Sequence, residues 1–267
     1  MNFQVLIVTM NQTDLGLADR MNIQCDAIIS NQADFESVLN KNVQFGKLKM
    51  ITTPTKGVGL NRNIGIMAST ADIILFGDDD MIYSEALESS VVAAFNQIPS
   101  ADVIIFGLDI INNGSITERR RCKLRRLKLW NSMRYGTCRV AVRRKAIVDN
   151  NIVFNQRFGG GCDFSSGEDS LFIRDCFKNG LKVYSHPFVV GTCCKDKSSW
   201  FTGYNDKYFY DKGVLIRKLF PLTAYFIGVY FAIRFSKKAK LSVFKIIALL
   251  FAGIHNGKKM ITYENWK

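Results

Sequence analysis

Through the first hundred residues, short apolar runs alternate with stretches whose apolar positions recur every three or four residues. FQVLIVT (3–9), DAIIS (26–30), KMITT (49–53), DIILF (72–76) and DVIIFGL (102–108) are nearly continuous in apolar side chains. Such runs mark strands covered on both faces, as in parallel α/β sheets. Between them, 13–22, 33–42, 59–70 and 84–97 carry helical patterns. The alternation predicts an α/β protein with an open, doubly wound sheet. From 109 to about 165 the pattern breaks into polar and basic segments and ends in a glycine-rich loop, FGGGCDFSSGED. EDSLFIRDCFKNGL then predicts a helix closed by Gly180, followed by a strand, KVYSHPFVV.

The end of the chain reads differently. LFPLTAYFIGVYFAI (219–233) holds no charge and LSVFKIIALLFAGI (241–254) holds one, Lys245. Each is shorter than the roughly 20 apolar residues a membrane span needs. The connector RFSKKAK and the following NGKK are basic. Together they predict a pair of interfacial or shallowly inserted helices, with a membrane-spanning hairpin or a soluble helical subdomain as alternatives.

Charge sharpens this picture. The net +13 of the 267 residues divides into −8 over 1–118, +12 over 119–145, −1 over 146–211 and +10 over 212–267. A basic total often points to nucleic acid, but here one basic block is interleaved with long apolar runs, which suits an anionic membrane surface. In the other, RRRCKLRRLKLW (119–130), the aromatics Trp130 and Tyr135 nearby are too few for a base-stacking platform. No nucleic acid partner is expected. The block is a solvated surface segment or a patch for an anionic, membrane-bound acceptor. Seven cysteines in no metal-ligand spacing (25, 122, 138, 162, 176, 193 and 194) read as reduced thiols. The opening MNFQVLIVTMNQ lacks the basic segment and cleavage site of a signal peptide and reads as a first strand, so a cytoplasmic protein is expected.

Candidate chemistry begins with STADIILFGDDDMIYSEAL, where an apolar strand delivers Asp78, Asp79 and Asp80 at its carboxyl end. Ligands of open α/β sheets bind at that edge. A turn or helix start would also accept the acids. Carboxylates at i and i+2 can instead share a hard divalent cation, Mn²⁺ or Mg²⁺, with phosphate oxygens. Upstream, TPTKGVGLNRNIGIMAS sets Lys56, Arg62 and Asn63 at a loop and helix start, an arrangement that suits a diphosphate as well as a plain loop with a surface arginine. The glycines match neither a P-loop nor a dinucleotide fingerprint.

GLNRNIGIMASTADIILFGDDDMIYSEAL resembles the family 2 glycosyltransferases, in which G-x-x-x-x-R-N-x-G-I precedes a strand ending in D-x-D. The later YGTCRVAVRRKAIVDNNIVFNQRFGGGCDFSSGEDSLFIRDCFKNGLKV looks like the acceptor half of that family, its G-E-D opening a helix. The resemblance spans roughly 3–190. It implies a GT-A fold, a Rossmann-like mixed central sheet flanked by helices, here with a membrane-associated helical appendage. It implies a donor half at 1–110, an acceptor half at 111–212 and C-terminal helices at 213–267. The implied activity is inverting transfer of a sugar from a nucleotide-sugar to a saccharide acceptor, lipid-linked in the surface-polysaccharide enzymes that work at the inner face of the plasma membrane.

The same resemblance assigns Asp78 and Asp80 to the metal and donor, and Asp79 to the ribose or metal. It sets Arg62 and Asn63 near the donor, and Thr9 and Asn11 at the base. In G-E-D, Asp169 is the expected general base with Glu168 second; a helix cap is the alternative for both. Two departures stand out. The second strand offers Asn31 where relatives carry an aspartate, and the late histidine that serves as third metal ligand has only His186 and His255 to fill it, of which His186 is the candidate. SSWFTGYNDKYFYDKGVLIRKLFP (198–221) is a candidate acceptor rim, although its aromatics would also serve as core or interfacial anchors. Two other readings compete: a membrane-binding scaffold on a degenerate transferase fold, and an aspartyl phosphatase. The latter is disfavoured because its D-x-D strand opens the domain, whereas here it is the fourth.

Overall fold

The structure, a computed structural model, describes residues 1–133, 135–194 and 203–267. The start of the expected acceptor rim, 198–202, lies outside them. Among the described residues eleven strands form one sheet. β1 (Phe3–Met10), β2 (Ala27–Gln32), β4 (Gly46–Thr53) and β5 (Ile73–Asp78) run parallel in the order β4-β2-β1-β5.

Successive side chains of these strands point to opposite faces; both faces are covered in β1, β2 and β5, while in β4 only alternate residues are fully buried. Phe3, Val5, Ile7, Ile73 and Leu75 enter one core with Leu17 of α1 (Leu17–Arg20) and Val91 and Phe95 of α3 (Leu87–Gln97). Leu6, Val8, Ile74 and Phe76 enter the other with Ile66 of α2 (Val58–Ala68) and Phe172 of α6 (Glu168–Lys178). This two-sided burial is why the runs are continuously apolar.

Two expected helices change. The segment 33–42 is not a helix: β3 (Ser37–Val43) pairs antiparallel with β4, from Ser37 opposite Thr52 to Val43 opposite Gly46. Gln44 and Phe45 form a two-residue hairpin loop. A side chain on Gly46 would come within 2.7 Å of the Asp26 backbone nitrogen, so glycine is needed at the return. The helix over 13–22 shrinks to α1, because the Asp14 carboxylate accepts from the Gly16 backbone nitrogen at 2.8 Å and holds the preceding residues in a turn.

The irregular middle of the chain also joins the sheet. β7 (Val103–Asn112) returns through Asn113-Gly114, both at positive φ, into β8 (Ser115–Arg120). β10 (Val140–Arg143), followed by α5 (Arg144–Asp149), inserts antiparallel between β5 and β7. β11 (Val183–Cys194) lies parallel to β7, with β6 (Met81–Tyr83) and β9 (Arg125–Arg126) antiparallel against it. The basic run thus threads from β8 through β9 into α4 (Leu129–Ser132).

The C-terminal helices are α7 (Asp206–Leu219), α8 (Ala224–Ala239), α9 (Val243–Asn256) and α10 (Tyr263–Trp266). The expected boundary at 213 therefore falls inside α7. There the backbones of α7 and α9 nearly touch: a side chain on Gly213 would meet the Leu250 carbonyl oxygen at 2.2 Å, and one on Gly253 the Tyr210 oxygen at 2.0 Å. Among the described residues no helix is long and apolar enough to cross a membrane. Nor are these helices loosely appended. Tyr210, Val214 and Leu215 of α7 share a core with Phe158 and Phe164 of the glycine-rich loop and Leu171 of α6.

Candidate functional site

The carboxyl edge of the parallel strands builds one wall of a cleft. Because β1 and β5 are parallel neighbours with Val8 opposite Asp78, their ends bring Thr9 to the acidic triplet. The three carboxylates then diverge. Thr9 Oγ1 donates to Asp79 Oδ2 at 2.6 Å. Asp78 Oδ1 accepts from Arg62 at 2.8 Å. The Cys193 thiol donates to Asp80 Oδ2 at 3.3 Å, while the Cys194 backbone nitrogen binds the Asp80 carbonyl oxygen at 2.9 Å. The other carboxylate oxygen of Asp80, Oδ1, is buried with no partner among the described residues. Burial and the charge of Asp78 push Asp80 up to about 6.

The opposite wall is the start of α6. Gly167, at φ 128, turns the chain into the helix, and Glu168 and Asp169 occupy its first turn, where the helix dipole favours acids. Asp169 accepts from Arg62 at 3.0 Å and from the Thr137 backbone nitrogen at 3.1 Å, and also from Thr137 Oγ1. Glu168 accepts from the Gly167 backbone nitrogen at 3.0 Å and from Arg62 at 3.3 Å.

Arg62 bridges the two walls. Its side chain is 3% exposed and lies over the Phe154 ring at 5.1 Å. Burial alone would lower its pKa; the charges of Asp78, Asp169 and Glu168 outweigh that and hold it above its ordinary value. Burial, reinforced by the charge of Asp169, raises Glu168 to about 7 against the opposing pull of Arg62. A buried guanidinium shared by three carboxylates is a fixed element. Arg62, expected from sequence near the donor, lines the cleft and pairs with three of its carboxylates.

The cleft measures about 310 Å³, and Thr9, Arg62, Asp78, Asp79, Asp80, Glu168 and Asp169 all line it. The other expected residues stand apart from its wall. Asn31 is fully buried, its amide bonded to the Gln12 backbone and to Thr52. Asn63 spends both ends of its amide on the Phe154 backbone, at 2.9 and 2.8 Å, and so ties α2 to the later half of the chain. Lys56 and Asn11 are exposed off the cleft. His186 is not with the triplet: its Nε2 is 3.2 Å from Gln97 and its ring packs edge-on against Phe106. It lies near the amino end of β11, whereas the other end of that strand carries Cys193 to Asp80.

Sequence reasoning missed Gln32, Asn61, Ser165 and Ser166 on the cleft wall. Asn61 was passed over for its neighbours in the Asn-Arg-Asn run, yet its amide nitrogen donates to the Ser30 carbonyl oxygen at 2.8 Å and joins α2 to β2. Lys212 of α7 brings its amine within 3.5 Å of Ser166 Oγ. Nothing near that lysine in the sequence signals the contact.

Among the described residues no three of His, Cys, Asp and Glu cluster as a metal cage. Any divalent ion here would complete its shell with ligand oxygens.

Known proteins add the following. The model of glycosyl transferase family 2 matches residues 27–151, a span that includes Arg62 and the triplet and stops before Glu168. No curated protein matches the chain. The crystal structure of S. aureus TarS 1-349 in complex with UDP-GlcNAc superposes with a TM-score of 0.63 at 16% identity, covering 99% of this chain and 74% of that one. The same protein in complex with UDP gives 0.59 at 15% identity, over 97% and 72%. S. aureus TarS beyond that fragment gives 0.57 at 14% identity, over 99% and 45%. At such identities the likeness is one of fold. The architecture is the GT-A fold.

Proposed function

We propose that this chain, which belongs to glycosyl transferase family 2 through its domain at 27–151 and is a glycosyltransferase, moves a sugar from a nucleotide-sugar donor, with inversion, onto a saccharide acceptor of a bacterial surface polysaccharide. One observation carries the reading. Arg62 spans a single cleft between Asp78, at the end of a parallel strand, and Asp169, at the start of a helix. Inverting displacement needs two such opposed carboxylate stations, one toward the leaving diphosphate and one toward the incoming hydroxyl.

On the acceptor side, Asp169 takes the proton of the attacking hydroxyl. Thr137 and Arg62 orient its carboxylate toward the cleft. Arg62 also fixes the Asp78 wall relative to the Asp169 wall, so the two stations act at a set separation. Thr9 steadies Asp79 where the nucleoside would enter.

A divalent ion, Mn²⁺ or Mg²⁺, fits this chain at Asp80 with Asp78, since Asp80 Oδ1 is a buried hard oxygen without a partner among the described residues. When bound, such an ion supplies positive charge to the departing diphosphate. The positive charge of residues 119–145 and 212–267 supports an acceptor presented on lipid at an anionic membrane face, with the enzyme on the cytoplasmic side.

The test is nucleotide release. Purified protein is incubated with UDP-, GDP- and dTDP-sugars and Mn²⁺, starting with UDP-GlcNAc because TarS was crystallised with it. One donor should turn over, and Asp169→Asn should slow it about 10²–10⁴-fold without changing donor-induced thermal stabilisation. Stabilisation and release equal to wild type in that variant would remove Asp169 from the reaction.

A further inference from the structure

We infer that the exposed face of α8 is a lipid-binding surface that seats the protein on an anionic bilayer. Leu222 just before the helix is 96% exposed, and Phe226, Ile233 and Tyr230 within it are 81%, 61% and 60% exposed. Spaced three and four residues apart, with Val229 between, they share one stripe of the helix. The opposite face is also apolar: Ala224 and Ala232 are buried in the helical core, with Ile227, Phe231 and Phe235 packed against it. The helix is therefore apolar on the side that faces water as well as on the side that faces protein. Large exposed apolar stripes of this kind mark a surface that is covered in use.

Charge identifies what covers it. The stripe ends at Arg234, Lys237, Lys238 and Lys240, and residues 212–267 carry eleven basic side chains and one acidic. A second copy of the chain would bring like charges together, whereas a bilayer with anionic headgroups pairs with both the apolar stripe and its basic end. A second basic element adjoins it. Trp130, 69% exposed, stacks on Phe220 with ring centroids 5.1 Å apart and planes 6° from parallel. That stack ties the end of the run carrying Lys123, Arg125, Arg126 and Lys128 to Phe220, in the turn between α7 and α8. An exposed aromatic between a basic rim and an apolar stripe is the chemistry of a membrane interface.

The structure also narrows the surface to one helix of the expected pair. In α9, Ile246, Leu249, Leu250 and Ile254 are buried against its neighbours, and only Phe244 in its first turn is a large exposed apolar side chain. At 16 residues, α8 is about 24 Å long. It would lie in the plane of the headgroups. The inference deepens the proposed function by naming the surface that meets the membrane, and it rests on that reading only for its purpose, holding the cleft near an acceptor carried on lipid.

Flotation with vesicles tests it on the full chain. Vesicles of phosphatidylcholine alone are compared with vesicles containing about a quarter phosphatidylglycerol, at low salt. Wild type should bind the anionic vesicles at least about tenfold better. Phe226→Asp with Ile233→Asp should weaken that binding about a hundredfold, and Lys237→Glu with Lys238→Glu about tenfold. Both double variants should keep the wild-type melting temperature and nucleotide release. Equal vesicle binding by the aspartate variant would overturn the inference. So would a wild-type dimer in light scattering that this variant converts to monomer, since the stripe would then belong to a second copy. Vesicle binding without nucleotide release from any donor supports the lipid surface and counts against the transferase reading; release without vesicle binding does the reverse.

Discussion

The two walls of the cleft are built by different means. The triplet wall is backbone geometry: parallel strands end together, and whatever polar residues follow the last apolar position are gathered at one edge. The Asp169 wall has no such guarantee. Its helix follows a glycine-rich loop, and the loop stays in place because α7 braces it. Ser165 donates its backbone N–H to Asp211 at 3.0 Å, Lys207 reaches the Asp163 carbonyl oxygen at 3.0 Å, and Phe158 and Phe164 pack on Tyr210 and Leu215. Position is thus inherited from the sheet on one side and imposed by the C-terminal helices on the other. The helices that offer a face to lipid also form the floor of the candidate base.

Removing the link between the walls should have the largest effect. Arg62→Ala leaves Asp78, Glu168 and Asp169 crowded around a buried hole, and should cost about 3–5 kcal/mol of stability, read by denaturant unfolding. Next comes the brace. Leu215→Ala should cost about 2–4 kcal/mol and lower nucleotide release, because a leucine 4% exposed beneath Gly167 is lost. An equal change on the sheet side, Ile29→Ala, should destabilise without singling out the catalytic step. If both variants lowered kcat in proportion to stability alone, the asymmetry between the walls would vanish.

A smaller effect follows from Glu168. Its pKa in the folded protein, about 7, lies above its ordinary 4.5. Its proton is therefore held more tightly in the folded state, and the stability this confers is present below about pH 4.5 and lost as pH rises through about 7. Glu168→Gln should remove that loss, gaining on the order of 1–3 kcal/mol relative to wild type between pH 5 and 8. Thermal melts across the range would show it; parallel curves for the two proteins would contradict the burial argument. Smallest of all, His186→Ala should change stability and Mn²⁺-dependent release by little, within about 0.5 kcal/mol, as befits a partly exposed side chain away from the triplet.

How far the sequence could be read follows the same division. β1, β2 and β5 were legible because burial on both faces makes a strand continuously apolar, and the triplet was legible because it sits at a strand end. β3 was not, since an edge strand with one exposed face carries mostly polar residues, and Ser37–Val43 has no run to find. β8 had a signal in Asn113-Gly114, a pair suited to tight hairpins. β10 did not: four residues inserted between distant strands are specified by tertiary contact. At the site, the acids were found by motif, while the bridging of Arg62 and the engagement of Asn31 and Asn63 inside the protein depend on which neighbours the fold supplies. The bracing of the loop by α7 joins residues 46 and 44 positions apart, with no periodicity to announce it.

The central claim is that the triplet wall receives the diphosphate and the Asp169 wall faces the sugar's far side. A crystal of the full chain with UDP-GlcNAc or the donor found by screening, grown with Mn²⁺, tests it most directly. The account predicts the ion between the diphosphate and Asp80, Arg62 still bridging Asp78 and Asp169, and the anomeric carbon turned toward Asp169. A donor bound with its phosphates away from residues 78–80, or with the anomeric carbon turned from Asp169, would contradict it.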